Sequence, residues 1–328
     1  MILILIFALA ISFFFAFWNG FTDAANAIST IIATRVLKPV QAVVLSAIGN
    51  FIGMFFGVAV AITIGQGIIS PDIISGELLI AALIGALVYD VITWYFGLPV
   101  SESHVLIGGL VGAGSAASGL SVINISGIVD KVIIPMITSP IIAIIIAFFF
   151  TAFIIRYLLR VHAHRINRYF RVLQIFSSFF FSVTHGTNDA QKVMGIITAM
   201  LIYYGFLTTF DVPLWVIVGC HAMISVGTFF GGWRIVKTMA HRITRLKPFQ
   251  GFSAETSGAM ILSTTALLGF PVSTTHVISG SIMGVGATKR LKAVHWGVTR
   301  NIVWAWILSI PMAAIFSFFF YKILMFVL

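Results

Sequence analysis

The chain reads as an all-α, polytopic membrane protein built as an inverted repeat with two re-entrant helical hairpins, and three observations predict it. Apolar runs of roughly 20 residues recur from end to end, long enough to cross a ~30 Å hydrocarbon core as helices. The 328 residues are 60% hydrophobic and 9% charged. A soluble domain carries about 25% charged residues, and the strand alternation of a membrane β-barrel is missing. Second, GLPVSESHVLIGGLVGAG from Gly97 to Gly114 recurs as GFPVSTTHVISGSIMGVG from Gly269 to Gly286. Pro99 matches Pro271, Ser101 matches Ser273 and His104 matches His276. Duplicated polar segments broken by proline and glycine point to a transporter's binding site, because irregular backbone survives in the bilayer only where protein or a wet cavity satisfies it. Third, sixteen of the nineteen lysines and arginines fall in four places: near Arg35, from Arg156 to Arg171, from Arg234 to Lys247 and from Lys289 to Arg300.

Those basic clusters set the topology, since short cytoplasmic loops collect Lys and Arg. The connections with Asp72, Glu77 and Asp211 carry no cation and are placed outside. Helix one, at about 3–33, then runs from outside to inside. It has no cationic leader region and is expected to be a retained span. Helix two, at about 40–66, returns. Between it and the inside loop at 156–171 only an odd number of crossings fits, and three apolar stretches are available. The first two, 77–97 and 101–119, pair as a hairpin with its tip at Pro99-Val100-Ser101, and 131–155 crosses. Two full crossings by the hairpin arms would keep the same parity, so the Pro-Val-Ser break is what argues for re-entrance.

The second half repeats the order from the opposite face: helices at about 173–204 and 213–236, a hairpin at 253–287 and a last helix at 294–325. Residues 1–160 and 173–328 thus form two inverted repeats, joined by a basic cytoplasmic loop at 161–172. Both termini are expected outside the cell (plasma or inner) membrane. The loop sequence RVHAHRINRYFR is expected to touch anionic lipid. A net charge of +10 dispersed over short loops gives no nucleic-acid face. Cys220 is the only cysteine, which excludes an intrachain disulfide, and no Cys/His cluster has zinc-ligand spacing.

Polar residues inside the apolar runs form the candidate site. NGFTDAANAIST from Asn19 and HGTNDAQKVMGI from His185 are a second internal repeat, with Gly20 matching Gly186 and Asp23 matching Asp189. An ionisable residue at a helix centre costs roughly 2.5–3.5 kcal/mol on insertion scales, so Asp23, Asp189 and Lys192 need partners or a polar cavity. Asp23 with Asn26, and Asn188 with Asp189, each offer a carboxylate and an amide oxygen, which suits a hard cation such as Na⁺ or a proton relay. Lys192 either pairs with Asp189 or meets an anion. The hairpin tips have the opposite character. A helix that starts at Ser101 or Ser273 presents unpaired N–H groups and a positive dipole end, and the hydroxyls of Ser101, Ser103, Ser273, Thr274 and Thr275 add donors for a small tetrahedral oxyanion. His104 and His276, one turn in, are expected to brace the hairpins or carry protons. Asp90 and Glu255 are expected to be hydrogen-bonded or to bear a proton, and the Gly53/Gly57, Gly108/Gly112, Gly227/Gly231 and Gly280/Gly284 pairs to pack helices closely.

Together NGFTDAANAIST, HGTNDAQKVMGI, GLPVSESH and GFPVSTTH resemble the inorganic phosphate transporter (PiT) family, and the resemblance extends through GGWRIVKTMAHRI and GFSAETSGA over nearly the whole chain. It implies secondary active uptake of phosphate with Na⁺ or H⁺, an inverted-repeat fold with two hairpins, and no cofactor beyond the coupling ion. The implied cation residues are Asp23, Asn26, Asn188 and Asp189, and the implied anion residues are Ser101, Ser103, Ser273, Thr274 and Thr275. Glu102 departs from the family's run of hydroxyls at the first tip. Either it takes part in phosphate binding and disfavours sulfate, or it turns away from the anion. The expected partners are inorganic phosphate or sulfate, the lipid bilayer and, in a homodimer, a second copy. A sulfate permease on the same scaffold is the alternative. An intramembrane hydrolase using Ser101 and His104 is the remote one: it has no use for a mirrored second copy of nucleophile and base, and neither HExxH nor GxSxG occurs.

Overall fold

A computed structural model describes residues 2–69, 73–157 and 163–327. The connection at Asp72, expected on the outside, and residues 158–162 of the basic loop lie outside the described residues. Among the described residues the chain is helical throughout, with no strand beyond one isolated bridge between Ile69 and Ile123. The first half comprises α1 (Ile2–Ala33), α2 (Pro39–Ile52), α3 (Ala59–Gly67), α4 (Gly76–Phe96), α5 (Glu102–Ser118), a short α6 (Ile125–Ile128) and α7 (Ile134–Tyr157). The second comprises α8 (Ala163–Tyr203), α9 (Leu214–Phe230), α10 (Trp233–His241), α11 (Pro248–Leu267), α12 (Thr274–Ala287) and α13 (Trp296–Val327). Each half thus runs long helix, bent pair, helical hairpin, long helix.

Two expected spans are broken. The helix expected at about 40–66 is α2 and α3, bent by 78°, and the one expected at 213–236 is α9 and α10, bent by 70°. The first break falls in an uninterrupted apolar run, FIGMFFGVAV, where hydropathy carries no mark of it. The helix expected from 173 starts at Ala163, so the second part of the basic segment stands on α8, where Arg171 donates to the Arg35 carbonyl at 2.9 Å. Among the described residues, α1, α4, Ile125–Tyr157 and α13 are long and apolar enough to cross a bilayer, and six spans result if each bent pair is one. Ile141, Phe149, Phe153, Ile307 and Phe319 face outward. An exterior of this kind is stable in lipid.

The hairpin tips are built alike. Gly97 (φ 65°) and Gly269 (φ 71°) end the entry arms in the left-handed conformation that favours glycine. Each is the hub of a Schellman pair: Gly97 N–H donates to Trp94 O (2.9 Å) and Leu98 N–H to Thr93 O (2.9 Å), while Gly269 donates to Ala266 O (3.2 Å) and Phe270 to Thr265 O (2.9 Å). Proline two residues on prevents helix resumption. Ser101 and Ser273 then cap the exit arms, accepting from the N–H groups of His104 (3.3 Å) and His276 (3.2 Å).

Packing crosses between the halves. The exit arm α5 lies against α13 of the second half, and α12 lies against α7 of the first. Glycines set the separation: a Cβ at Gly108 or Gly112 would sit 2.5 or 2.1 Å from the Ile310 and Ala314 carbonyl oxygens, and one at Gly280 or Gly284 would sit 2.6 or 2.3 Å from those of Pro140 and Ile144. The other two small-residue pairs differ. Gly53 and Gly227 meet backbone, but Gly57 and Gly231 lie at the helix breaks with positive φ.

Candidate functional site

The site lies where α1 and α8 meet the tip of the second hairpin. Mid-helix polar motifs bring Asp23 and Asn26 from α1 and His185, Asn188, Asp189 and Lys192 from α8; the first turn of α12 adds Thr274 and Thr275. All are buried, Asp23 being the most exposed at 5%. Thr275 donates to Asp23 Oδ1 at 3.2 Å, and the Thr274 hydroxyl lies 3.4 Å from Asp23 Oδ2 and 3.3 Å from Asp189 Oδ2. Asn26 Nδ2 donates to both threonine oxygens, at 3.2 and 2.9 Å. On the far side, Lys192 forms an ion pair with Asp189 Oδ1. Of the two outcomes open for Lys192, the geometry is that of the pair.

Several oxygens in this cluster have no donor. Asn188 Nδ2 donates to the Thr184 and Leu262 carbonyls (2.8 and 3.1 Å), while its Oδ1 and that of Asn26 have no partner among the described residues. Buried acceptors without donors are costly unless something positive meets them. Two carboxylates, two hydroxyl oxygens and two free amide oxygens make the oxygen-rich set that a hard cation takes. One atom each of Asp23, His185 and Asp189 also lie within 4.8 Å of one another. Lys192 balances Asp189, whereas Asp23 makes no salt bridge among the described residues. A single monovalent cation would neutralise it.

Residues that sequence reasoning passed over hold this cluster in place. His185 Nδ1 faces Asn50 Oδ1 of α2 at 3.0 Å; Asn50 Nδ2 donates to Thr228 of α9 at 2.8 Å; and Thr228 donates to the Gly20 carbonyl at 3.1 Å. With Nδ1 engaged, the other ring nitrogen of His185 is turned to Asp189 Oδ2 at 3.2 Å. The available signal was an amide inside the apolar run of α2, which demands a partner in hydrocarbon.

The two tips touch. Ser103 donates to the Val272 carbonyl at 3.2 Å, and the His104 and His276 rings meet edge to face at 4.8 Å. His276 also stacks on Trp306 at 3.8 Å, and Trp306 Nε1 donates to the Pro99 carbonyl at 3.1 Å, so one α13 side chain spans both tips. Of the hydroxyls expected to face an anion, Ser103 donates to Val272 and Thr274 and Thr275 to the carboxylates, whereas Ser101 and Ser273 accept from their own helix turns. Glu102 is placed differently. Its Oε1 accepts from Thr22 of α1 at 2.6 Å, and its carboxyl neighbours Asp90 of α4. A cavity of about 390 Å³, lined by Phe56, Gly57, Thr187, Asn188 and Leu267 among others, runs from the α2–α3 break to Asn188.

With this geometry in hand, the likeness to known proteins is informative. Residues 19–317 match the phosphate transporter family. The chain is 48% identical over 311 residues to a probable low-affinity inorganic phosphate transporter of Rhizobium meliloti, covering 94% of this chain and 93% of that one. It is 41% identical over 316 residues to the Bacillus subtilis protein of the same description, covering 95% and 93%. A solved structure described as the sodium-dependent phosphate transporter superposes with a TM-score of 0.87 at 26% identity, covering 99% of this chain and 100% of that one. The helical hairpins and buried carboxylates thus sit in a transporter scaffold, not an enzyme's, and the chain belongs to the phosphate transporter family.

Proposed function

We propose that this protein is a symporter that takes up inorganic phosphate together with Na⁺ or H⁺. The observation that carries the reading is the shared use of Thr274 and Thr275, which belong to the tip yet donate to Asp23 and Asp189. A threonine has one hydroxyl proton. While the carboxylates are bare, that proton is committed to them. Once a cation sits among Asp23, Asp189, Asn26 and Asn188, the hydroxyl oxygen can ligate it and the proton is free to turn toward an anion between the tips. Cation binding would therefore create the phosphate site, aided by the N-terminal turns of α5 and α12.

Energetics favour such coupling. An inside-negative potential opposes anion entry by ~2.3 kcal/mol per charge per 100 mV, so net inward positive movement takes at least two cations with H₂PO₄⁻ or three with HPO₄²⁻. The names of the relatives support phosphate over sulfate. The repeated element order, with hairpins packed on the opposite half's last helix, supports an inverted repeat whose tips exchange exposure between the two sides. Contacts between the basic segments at Arg35 and Arg171, and at Arg245 and Lys289, support one shared cytoplasmic side with the termini outside.

Uptake of labelled phosphate into proteoliposomes, with Na⁺ and pH gradients imposed separately, tests the proposal. At least one of the two gradients should drive accumulation, and excess sulfate should not compete. Equilibration unaffected by either gradient would make the protein a uniporter and remove the role given to the carboxylates.

A further inference from the structure

Resting on the symport reading, we propose that Asp90 and Glu102 form a proton-carrying pair, an ion site of the first hairpin distinct from the Asp23–Asp189 cluster. Asp90 lies on the entry arm α4 and Glu102 opens the exit arm α5, 0% and 2% exposed, with their carboxyls in hydrogen-bond reach of each other. Of their four oxygens only Glu102 Oε1 has a donor, Thr22 at 2.6 Å; both Asp90 oxygens and Glu102 Oε2 have none among the described residues. Two buried carboxylates side by side cannot both be ionised. One proton shared between them supplies the missing donor and removes the repulsion.

Glu255 shows what a buried carboxylate looks like when the protein itself satisfies it. It accepts from Thr30 (2.6 Å), Gln174 (3.1 Å) and Ser177 (2.5 Å). Nothing comparable surrounds Asp90. The charged and titratable groups facing the pair are Asp23 of α1, Asp189 and Lys192 of α8, and Tyr89 of α4. Lys192 is already paired with Asp189, and the Tyr89 hydroxyl donates to Ala305 O at 3.1 Å. His104, further along α5, faces His276, and Arg234 of α10 is turned to Trp94 and Tyr95. None supplies the pair with a positive partner.

The pair also reports hairpin position. Thr22 belongs to α1, so displacement of the first hairpin from α1 breaks the Thr22–Glu102 bond and exchanges a buried setting for another. Proton affinity then differs between the two hairpin positions, and by linkage a proton shifts the balance between them. The proton arrives at a carboxylate oxygen from water on one side and leaves to water on the other, with no other bond made or broken.

Asp90→Asn separates this site from the rest. In proteoliposomes, a carrier moving one proton per phosphate accumulates substrate up to about tenfold per unit of pH gradient. The wild type should show that accumulation; Asp90→Asn should lose it while still exchanging labelled for unlabelled phosphate at equal pH. Accumulation by Asp90→Asn equal to the wild type overturns the proposal. A readout independent of transport is the infrared carbonyl stretch of a protonated buried carboxyl in the purified protein. It should be present in the wild type at neutral pH and lost or shifted in both Asp90→Asn and Glu102→Gln, and its absence from the wild type overturns the proposal even if the reconstituted protein moves no phosphate. Absence of phosphate exchange in the wild type, with the band present, counts against the symport reading alone.

Discussion

On the symport reading, a single hydroxyl proton is the smallest working part of this site. At 3.4 and 3.3 Å from two carboxylates, Thr274 is poorly bonded to either, near the outer limit of a useful hydrogen bond. Such a donor is easily redirected. Thr275 is the better-held of the pair, since it donates to Asp23 and accepts from Asn26 at 2.9 Å. Thr275→Val would leave Asp23 Oδ1 without that donor, a cost of about 1–3 kcal/mol. We expect reduced thermal stability in detergent together with weaker phosphate uptake. Asp23→Asn keeps the shape and removes the charge, so the protein should remain folded while gradient-driven phosphate accumulation in proteoliposomes falls at least tenfold. Retained accumulation with unchanged cation dependence would exclude Asp23 as a coupling residue. Much of this cluster was legible in sequence, because charges and amides inside apolar runs need partners. Thr22 was not. A threonine within a helix ordinarily bonds its own preceding turn, and the Trp18 carbonyl stands 2.9 Å from the Thr22 hydroxyl, so nothing local shows that its one proton is turned to Glu102 instead.

At the scale of elements, the hairpins were legible because their punctuation is chemical: glycine where φ is positive, proline where the helix must not resume, serine where the next one starts. The broken helices were not, since the α2–α3 bend occurs without proline in a continuous apolar run. Close packing of α5 on α13 gives an element-level prediction. A methyl at Gly112 would meet the Ala314 carbonyl at 2.1 Å, so Gly112→Ala should force the helices apart and cost about 1–3 kcal/mol. Gly297 has nothing within 4 Å of its Cβ position, and Gly297→Ala should leave stability unchanged. Thermal denaturation of the two variants in the same detergent compares them directly. Equal melting temperatures would show that α5 and α13 are not held at the separation seen here.

In the molecule as a whole, each hairpin is gripped by the other half. Since α5 packs on α13 and α12 on α7, and the tips are joined through Ser103–Val272 and His104–His276, movement of one half is expected to carry the opposite hairpin with it. The two proposed repeats, residues 1–160 and 173–328, therefore interlock, which no local pattern could reveal because the contacts join residues as far apart in the chain as Pro140 and Gly280, or Gly112 and Ala314. The central claim is that the cation makes the phosphate site by releasing Thr274 and Thr275. Binding linkage tests it most directly: equilibrium binding of labelled phosphate to purified protein, measured while Na⁺ and pH are varied one at a time. Phosphate affinity should rise tenfold or more with one of the two cations, and that rise should vanish in Asp23→Asn. Phosphate bound equally well with and without either cation would contradict the account.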